Sequence, residues 1–186
     1  MGDFASFWQK SHPSGPPIAH ILRDAPQEHW VRFHSLPGSK RYAETTEERW
    51  TVLERANALA SRVLGEEVDC WLVQADPLGD VANDVDPDAT ITELGLGFDF
   101  EHRDVNFECT YRIYAKTVMW ISGAFNGLIS QRADDQLPPT MWVCARTGAA
   151  FAPYDGGTDL FLNTADDATK LKREFWSWLS DHPEGL

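Results

Sequence analysis

The sequence predicts a single α/β domain of the α+β kind: a mixed, mostly antiparallel sheet of five to seven strands with helices packed on it. Three observations carry that expectation. Short segments in which side chains alternate with period two recur along the chain, among them Trp30–His34 and Tyr111–Trp120. One long segment, Thr45–Gly65, instead carries an apolar stripe at 3.6-residue spacing. The chain of 186 residues, 42% hydrophobic and with eight tryptophans, is long enough to bury one sizeable core.

Taken in order, Phe4, Phe7 and Trp8 form one face of an opening helix, which His12-Pro13-Ser14-Gly15-Pro16-Pro17 ends. Pro16 and Pro17 suit the first turn of a short second helix through Ile18, Ile21 and Leu22. In Trp30–His34, Trp30, Arg32 and His34 alternate with Val31 and Phe33, and Leu36-Pro37-Gly38 ends the strand. The long helix then starts at Thr45, whose hydroxyl can cap it while Glu48 reaches back in a capping box; Gly65 ends it. Its core face is Val52, Leu53, Ala56, Leu59, Ala60, Val63 and Leu64. Arg49 falls on the same face in the first turn, at the positive end of the helix dipole, so a carboxylate or carbonyl from elsewhere is expected beside it. The plainer alternative has Arg49 reaching past the helix end into solvent.

Asp69–Gln74 reads as an interior strand, and the order strand, helix, strand suggests a parallel βαβ unit. From Asp76 to Thr90 the chain is rich in Pro, Gly, Asn and Asp and reads as an exposed acidic loop. Strand character resumes over Phe98–Trp120, with a hairpin expected near Arg103-Asp104-Val105-Asn106. Ser122 can cap a helix running to Ala133, with Phe125, Leu128, Ile129 and Arg132 on one side. Strands are expected at Thr140–Arg146, Ala149–Ala152 and Asp159–Leu162, the last two joined at Pro153-Tyr154-Asp155-Gly156-Gly157. Thr164 with Asp167 caps a final helix whose core face is Ala168, Leu171, Phe175, Trp178 and Leu179.

Composition narrows the function. A net charge of −13 disfavours nucleic acid and anionic membrane as partners and favours a basic protein. No apolar run approaches the roughly 20 residues that span a bilayer, and the N-terminus lacks the pattern of a secretory signal. Met1-Gly2-Asp3-Phe4-Ala5-Ser6 fits the loose myristoylation pattern, but no basic cluster follows it. Cys70, Cys109 and Cys144, odd in number and widely spaced, read as free thiols in a reducing cytoplasm. No Cys or His spacing marks a metal site, and no cofactor is expected. Gly95-Leu96-Gly97 lacks the third glycine of a dinucleotide loop. His34-Ser35 has no assignable acid to form a triad, and Glu101-His102-Arg103-Asp104 reads as a solvated charged face.

The charge is concentrated. Between Asp76 and Asp104 nine carboxylates stand against one cation, Arg103, so this stretch supplies eight of the 13 excess negative charges. Asp80, Asp84, Asp86, Asp88, Glu93, Asp99 and Glu101 are therefore the candidate partner-binding residues, with Trp71, Leu78, Leu94, Leu96 and Phe98 at the margins as apolar anchors. A second candidate surface gathers the donors Lys40, Arg41, Tyr42 and Arg49 with Tyr154, Asp155 and Asp159. For Asp155 a turn carboxylate bonded to its own backbone is the favoured expectation, with pairing to Lys40, Arg41 or Arg49 as the alternative.

The segments RFHSLPGSKRY, FAPYDGGTDLFL and WLSDHPEGL together resemble a bacterial family of unknown function. A relative carries Tyr-Asp-Asp-Arg-Gly…Asp where this chain has Tyr154-Asp155-Gly156-Gly157-Thr158-Asp159, so any role of that arginine does not carry over. The resemblance covers roughly residues 30–65 and 141–186. Small acidic domains of this sort resemble immunity proteins encoded beside bacterial toxins. That resemblance implies a non-enzymatic protein that binds a cognate, basic toxin and blocks its active-site region. An anion-binding protein or enzyme using Lys40, Arg41, Arg49 and Asp155 is the alternative, and a housekeeping domain kept soluble by its charge is a third.

Overall fold

The computed structural model describes residues 3–23, 27–78, 87–106 and 108–179. Its frame is one seven-stranded sheet: β1 (Trp30–His34), β2 (Val68–Leu78), β3 (Gly97–Asp104), β4 (Cys109–Trp120), β5 (Thr140–Cys144), β6 (Ala150–Tyr154) and β7 (Gly157–Phe161). The strands lie in the order β1-β7-β6-β5-β2-β4-β3, and every pairing among the described residues is antiparallel. The expected parallel βαβ unit is thus corrected. β1 and β2 run in the same direction, but β7, β6 and β5 lie between them. Sequence neighbours in a crossover need not be sheet neighbours, because later hairpins can occupy the gap.

Six helices accompany the sheet: α1 (Asp3–Ser11), α2 (Ala19–Leu22), α3 (Thr46–Leu64), α4 (Pro87–Leu94), α5 (Asn126–Ala133) and α6 (Ala165–Glu174). They cover both faces. Alternation along β1 sends Val31 and Phe33 to a core shared with α3, α5 and α6, and Trp30 to a second core shared with α1 and α2. Along β2, Cys70 and Leu72 join the first core, and Val73 and Ala75 the second. In the first core Trp120 packs edge-on to Trp142 at 5.8 Å and stacks on Phe125 at 5.6 Å. In the second, Phe4 of α1 meets Trp8 at 5.8 Å and Trp71 at 5.5 Å.

Local signals set the helix ends. Thr45 Oγ1 accepts the Glu48 N–H at 3.2 Å, and Glu48 Oε2 accepts the Thr45 N–H at 3.2 Å, closing the expected capping box. Thr164 Oγ1 accepts the Asp167 N–H at 3.1 Å and starts α6 as read. α5 differs: residues 122–125 form a turn, and Phe125 sits at the cap without a side-chain bond. The amide of Gly123 bonds Asn57 Oδ1 on α3, and Asn57 Nδ2 donates to Asn126 Oδ1. Partners on α3 thus hold a start that Ser122 was expected to hold.

β2 also runs further than expected. It continues past Gln74 through Pro77, where β5 has ended and only β4 pairs with it, so the missing proline N–H leaves no ladder bond unmade on a second side. This carries Asp76 into the strand at 5% exposure rather than into an exposed loop, and Pro87–Thr90 opens α4. The two terminal strands differ sharply. β1 is buried over four of its five residues, whereas β3 is exposed or half-exposed along its length until Asp104. No described helix is long and apolar enough to cross a membrane.

Candidate functional site

The open end of the sheet holds what is described of the acidic stretch. Asp80, Asp84 and Asp86 lie outside the described residues, and Asp88 falls in α4. Glu93 and Glu101 are exposed. Between them Phe98 is 58% exposed and packs edge-on against Tyr114 of β4 at 5.8 Å. Glu101 has only a loose neighbour, Arg112, at 3.7 Å. Asp99 is placed differently. The β3–β4 register shifts between Phe98 and Phe100, a bulge that gives Asp99 no partner residue and turns it toward α1. There Asp99 Oδ1 accepts the Ala5 N–H at 2.9 Å, satisfying an amide of the first turn of α1 and complementing its dipole. Asp104 is buried at the other end of the strand. The exposed acidity described near this edge therefore rests on Glu93 of α4 and Glu101 of β3, which bracket Phe98 in sequence.

The second candidate surface is drawn together across the chain. Arg32 of β1 and Asp159 of β7 face each other in register, and Arg32 Nε donates to Asp159 Oδ1 at 3.0 Å. Trp30 Nε1 donates to the same oxygen at 3.0 Å, and Arg23 lies 3.7 Å from Oδ2. The Arg32 guanidinium is sandwiched, 5.4 Å from the Trp30 ring and 4.9 Å from the Tyr154 ring. Asp159 is 1% exposed, and this burial pushes its carboxyl above the ordinary range against the pull of Arg32 and Trp30. At the β6–β7 turn, Gly156 takes a φ of 101°, which L side chains avoid. Beside it Asp155 pairs with Arg41 Nε and accepts the Tyr42 hydroxyl at 2.9 Å. The pairing alternative is the one found, in place of the favoured turn carboxylate bonded to its own backbone: a guanidinium and a phenol from the β1–α3 loop both donate to Asp155 Oδ2.

The remaining cations of the anion-pocket alternative are spoken for. Lys40 Nζ contacts Glu44 at 3.0 Å and Glu48 at 2.8 Å. Arg49 Nη1 donates to Asp134 Oδ2 at 2.8 Å, the carboxylate its place in the stripe calls for. That pair is solvated, with the Arg49 side chain 55% exposed. Arg49→Met is accordingly expected to change stability by less than about 1 kcal/mol; urea denaturation checks this, and a loss above about 2 kcal/mol would mean the pair anchors α5 to α3.

Between α2 and the ends of β5, β6 and β7 lies a polar cleft of about 170 Å³. Asp159, Asp155 and Tyr154 line it, as do three residues the sequence reading did not nominate: His20, Arg23 and Arg132. Arg132 carried a legible signal. Like Arg49 it shares a helix face with Leu128 and Ile129, and it is the one of the two that is buried, at 9% exposure. His20 and Arg23 carried none, since α2 spans only four residues.

Cys70 and Cys144 are fully buried opposite each other on β2 and β5, and desolvation pushes the Cys70 thiol up to about 12, far from a thiolate at neutral pH. His34 Nε2 lies 3.2 Å from Ser39 Oγ in the loop that follows its strand.

A family model described as "Domain of unknown function (DUF3885)" matches residues 18–183. The chain belongs to that family. No curated protein and no solved structure matches it. The family match takes in the whole sheet, the acidic middle included, and begins just before α2, so α1 lies outside it.

Proposed function

We propose that this chain is a non-enzymatic binding protein that captures a basic protein partner, in the manner of an immunity protein neutralising a toxin. One observation carries the reading: among the described residues β3 ends the sheet and pairs only with β4, and it carries a large exposed aromatic, Phe98, and an exposed carboxylate, Glu101, with the exposed Glu93 preceding it on α4. An unpaired strand edge offers backbone donors and acceptors, an aromatic offers a desolvated anchor, and a carboxylate rim steers a cationic surface toward them. The net charge of −13 adds long-range attraction for such a partner.

The test is Phe98→Ser and Glu93→Gln/Glu101→Gln, made separately and assayed against a toxin domain encoded beside this gene. The carboxylate variant is expected to slow association several-fold at low salt and to flatten its salt dependence. Phe98→Ser is expected to speed dissociation by about tenfold or more, and both variants should fold as the parent does. Unchanged binding in both variants, or no protection of growth by the parent chain, would overturn the reading.

A further inference from the structure

The cleft beside Asp159 is distinct from the β3 edge, which closes the opposite end of the sheet. Its chemistry is unlike that of the rest of the molecule. In a chain of net charge −13, four guanidiniums, Arg23, Arg32, Arg41 and Arg132, line this cleft or pair with the carboxylates that line it, Asp155 and Asp159. The carboxylates are engaged: Asp159 by Arg32 and Trp30, and Asp155 by Arg41 and Tyr42. Neither invites a further cation.

Arg132 is in the opposite condition. Its Nη1 donates to Asp135 Oδ1 at 2.7 Å and to the Leu137 carbonyl at 3.1 Å, which holds the planar group in place. Its Nε is buried and has no hydrogen-bond partner. A guanidinium N–H removed from water without an acceptor is costly, and the positive charge it leaves uncompensated favours an anion in the adjoining cleft. Arg132 and Arg23 line the same cleft, as does His20, whose Nε2 is 3.4 Å from the Tyr111 hydroxyl.

Size sets the class of acceptor. Drug-sized ligands and nucleotides occupy roughly 300–1,000 Å³. A cleft of about 170 Å³ is smaller than that and admits a compact group of a few heavy atoms. A guanidinium recognises planar or tetrahedral oxyanions by paired N–H donors.

We propose that this cleft binds a compact oxyanion, a phosphate or a short carboxylate, held by Arg132 and Arg23 with His20 at its rim. Arg132 meets the oxyanion with the part of its side chain that lines the cleft. The site does not depend on the capture of a protein partner at β3, and either can fail without the other.

Isothermal titration calorimetry of the full chain with sodium phosphate and, separately, sodium acetate, at ionic strength matched with sodium chloride, tests the proposal. Saturable binding of at least one of the two is expected in the millimolar range. Phosphate alone points to an inorganic or phosphoryl ligand, and acetate alone to a carboxylate. Arg132→Gln is expected to weaken binding by about tenfold or more. Because Arg132 is buried and that variant risks the fold, Arg23→Gln, at a more exposed position, is the second arm and should weaken binding several-fold. Arg49→Gln, outside the cleft, should leave it unchanged. No saturable binding of either anion up to roughly 50 mM, or equal weakening in all three variants, would overturn the assignment.

Discussion

Replacing Asp159 by asparagine is expected to remove about 3–5 kcal/mol of stability, the largest loss foreseen for any single polar substitution in this chain. The expectation follows from what the carboxylate holds. Arg32 and Asp159 are 9% and 1% exposed, and the guanidinium lies 5.4 Å from the Trp30 ring and 4.9 Å from the Tyr154 ring. Asparagine preserves the volume but leaves that cation uncompensated, and Trp30 Nε1 loses its charged acceptor. For a chain of this length the loss corresponds to a fall in Tm of roughly 6–20 °C. Chemical denaturation of the two proteins side by side measures it. The double variant Arg32→Met/Asp159→Leu separates the cost of a broken pair from the worth of the pair itself. Well-packed apolar replacements often match or exceed a buried ion pair, so most of the lost stability should return. A loss below about 1 kcal/mol in Asp159→Asn would show that the pair does not secure β1 to β7.

Gly157→Ala is expected to cost about 1–3 kcal/mol or more, through overpacking at a backbone crossing. Gly157 opens β7 opposite His34, and a Cβ there would sit 2.6 Å from the Phe33 carbonyl oxygen and 2.5 Å from the Tyr154 hydroxyl. The tyrosine can swing away, but the carbonyl belongs to β1 and can yield only by loosening the β1–β7 ladder. Amide exchange in β1 and β7 should therefore accelerate more than in β2 and β4. Gly127→Ala is the control: it lies in α5, a Cβ there meets nothing within 4 Å, and helix propensity favours alanine. It should be neutral or slightly stabilising. A Gly157→Ala protein as stable as the parent would mean that the close approach of β1 to the hairpin is not needed for the fold.

Much of this molecule was legible before any coordinates. The α3 capping box, the stripe from Val52 to Leu64, the α6 start at Thr164 and the hairpin between Tyr154 and Gly157 all lie where the residues place them. Each is specified by groups three or four positions apart, or by a glycine whose φ the turn requires, so a short window contains the whole cause. The two halves of the second candidate surface, around Arg41 and around Asp155, were likewise nominated from residue type alone, though not which cation meets which acid.

What only the tertiary structure decided is pairing between distant segments. Nothing local tells β1 to accept β7 rather than β2, since both partners offer apolar faces of the same period and the choice rests on how the whole sheet packs. Arg32 and Asp159 are 127 positions apart, and neither residue alone announces that it is buried. The same holds for Asp99, an acid in an acidic run that a one-residue bulge turns from the solvent edge to the amide of Ala5. Alternation in a strand assigns a side to each residue only while register holds, and register is set by the partner strand. Arg132 marks the boundary. Its place among apolar helix neighbours was visible in the sequence, but the cleft it lines exists only because α2, β5, β6 and β7 meet there.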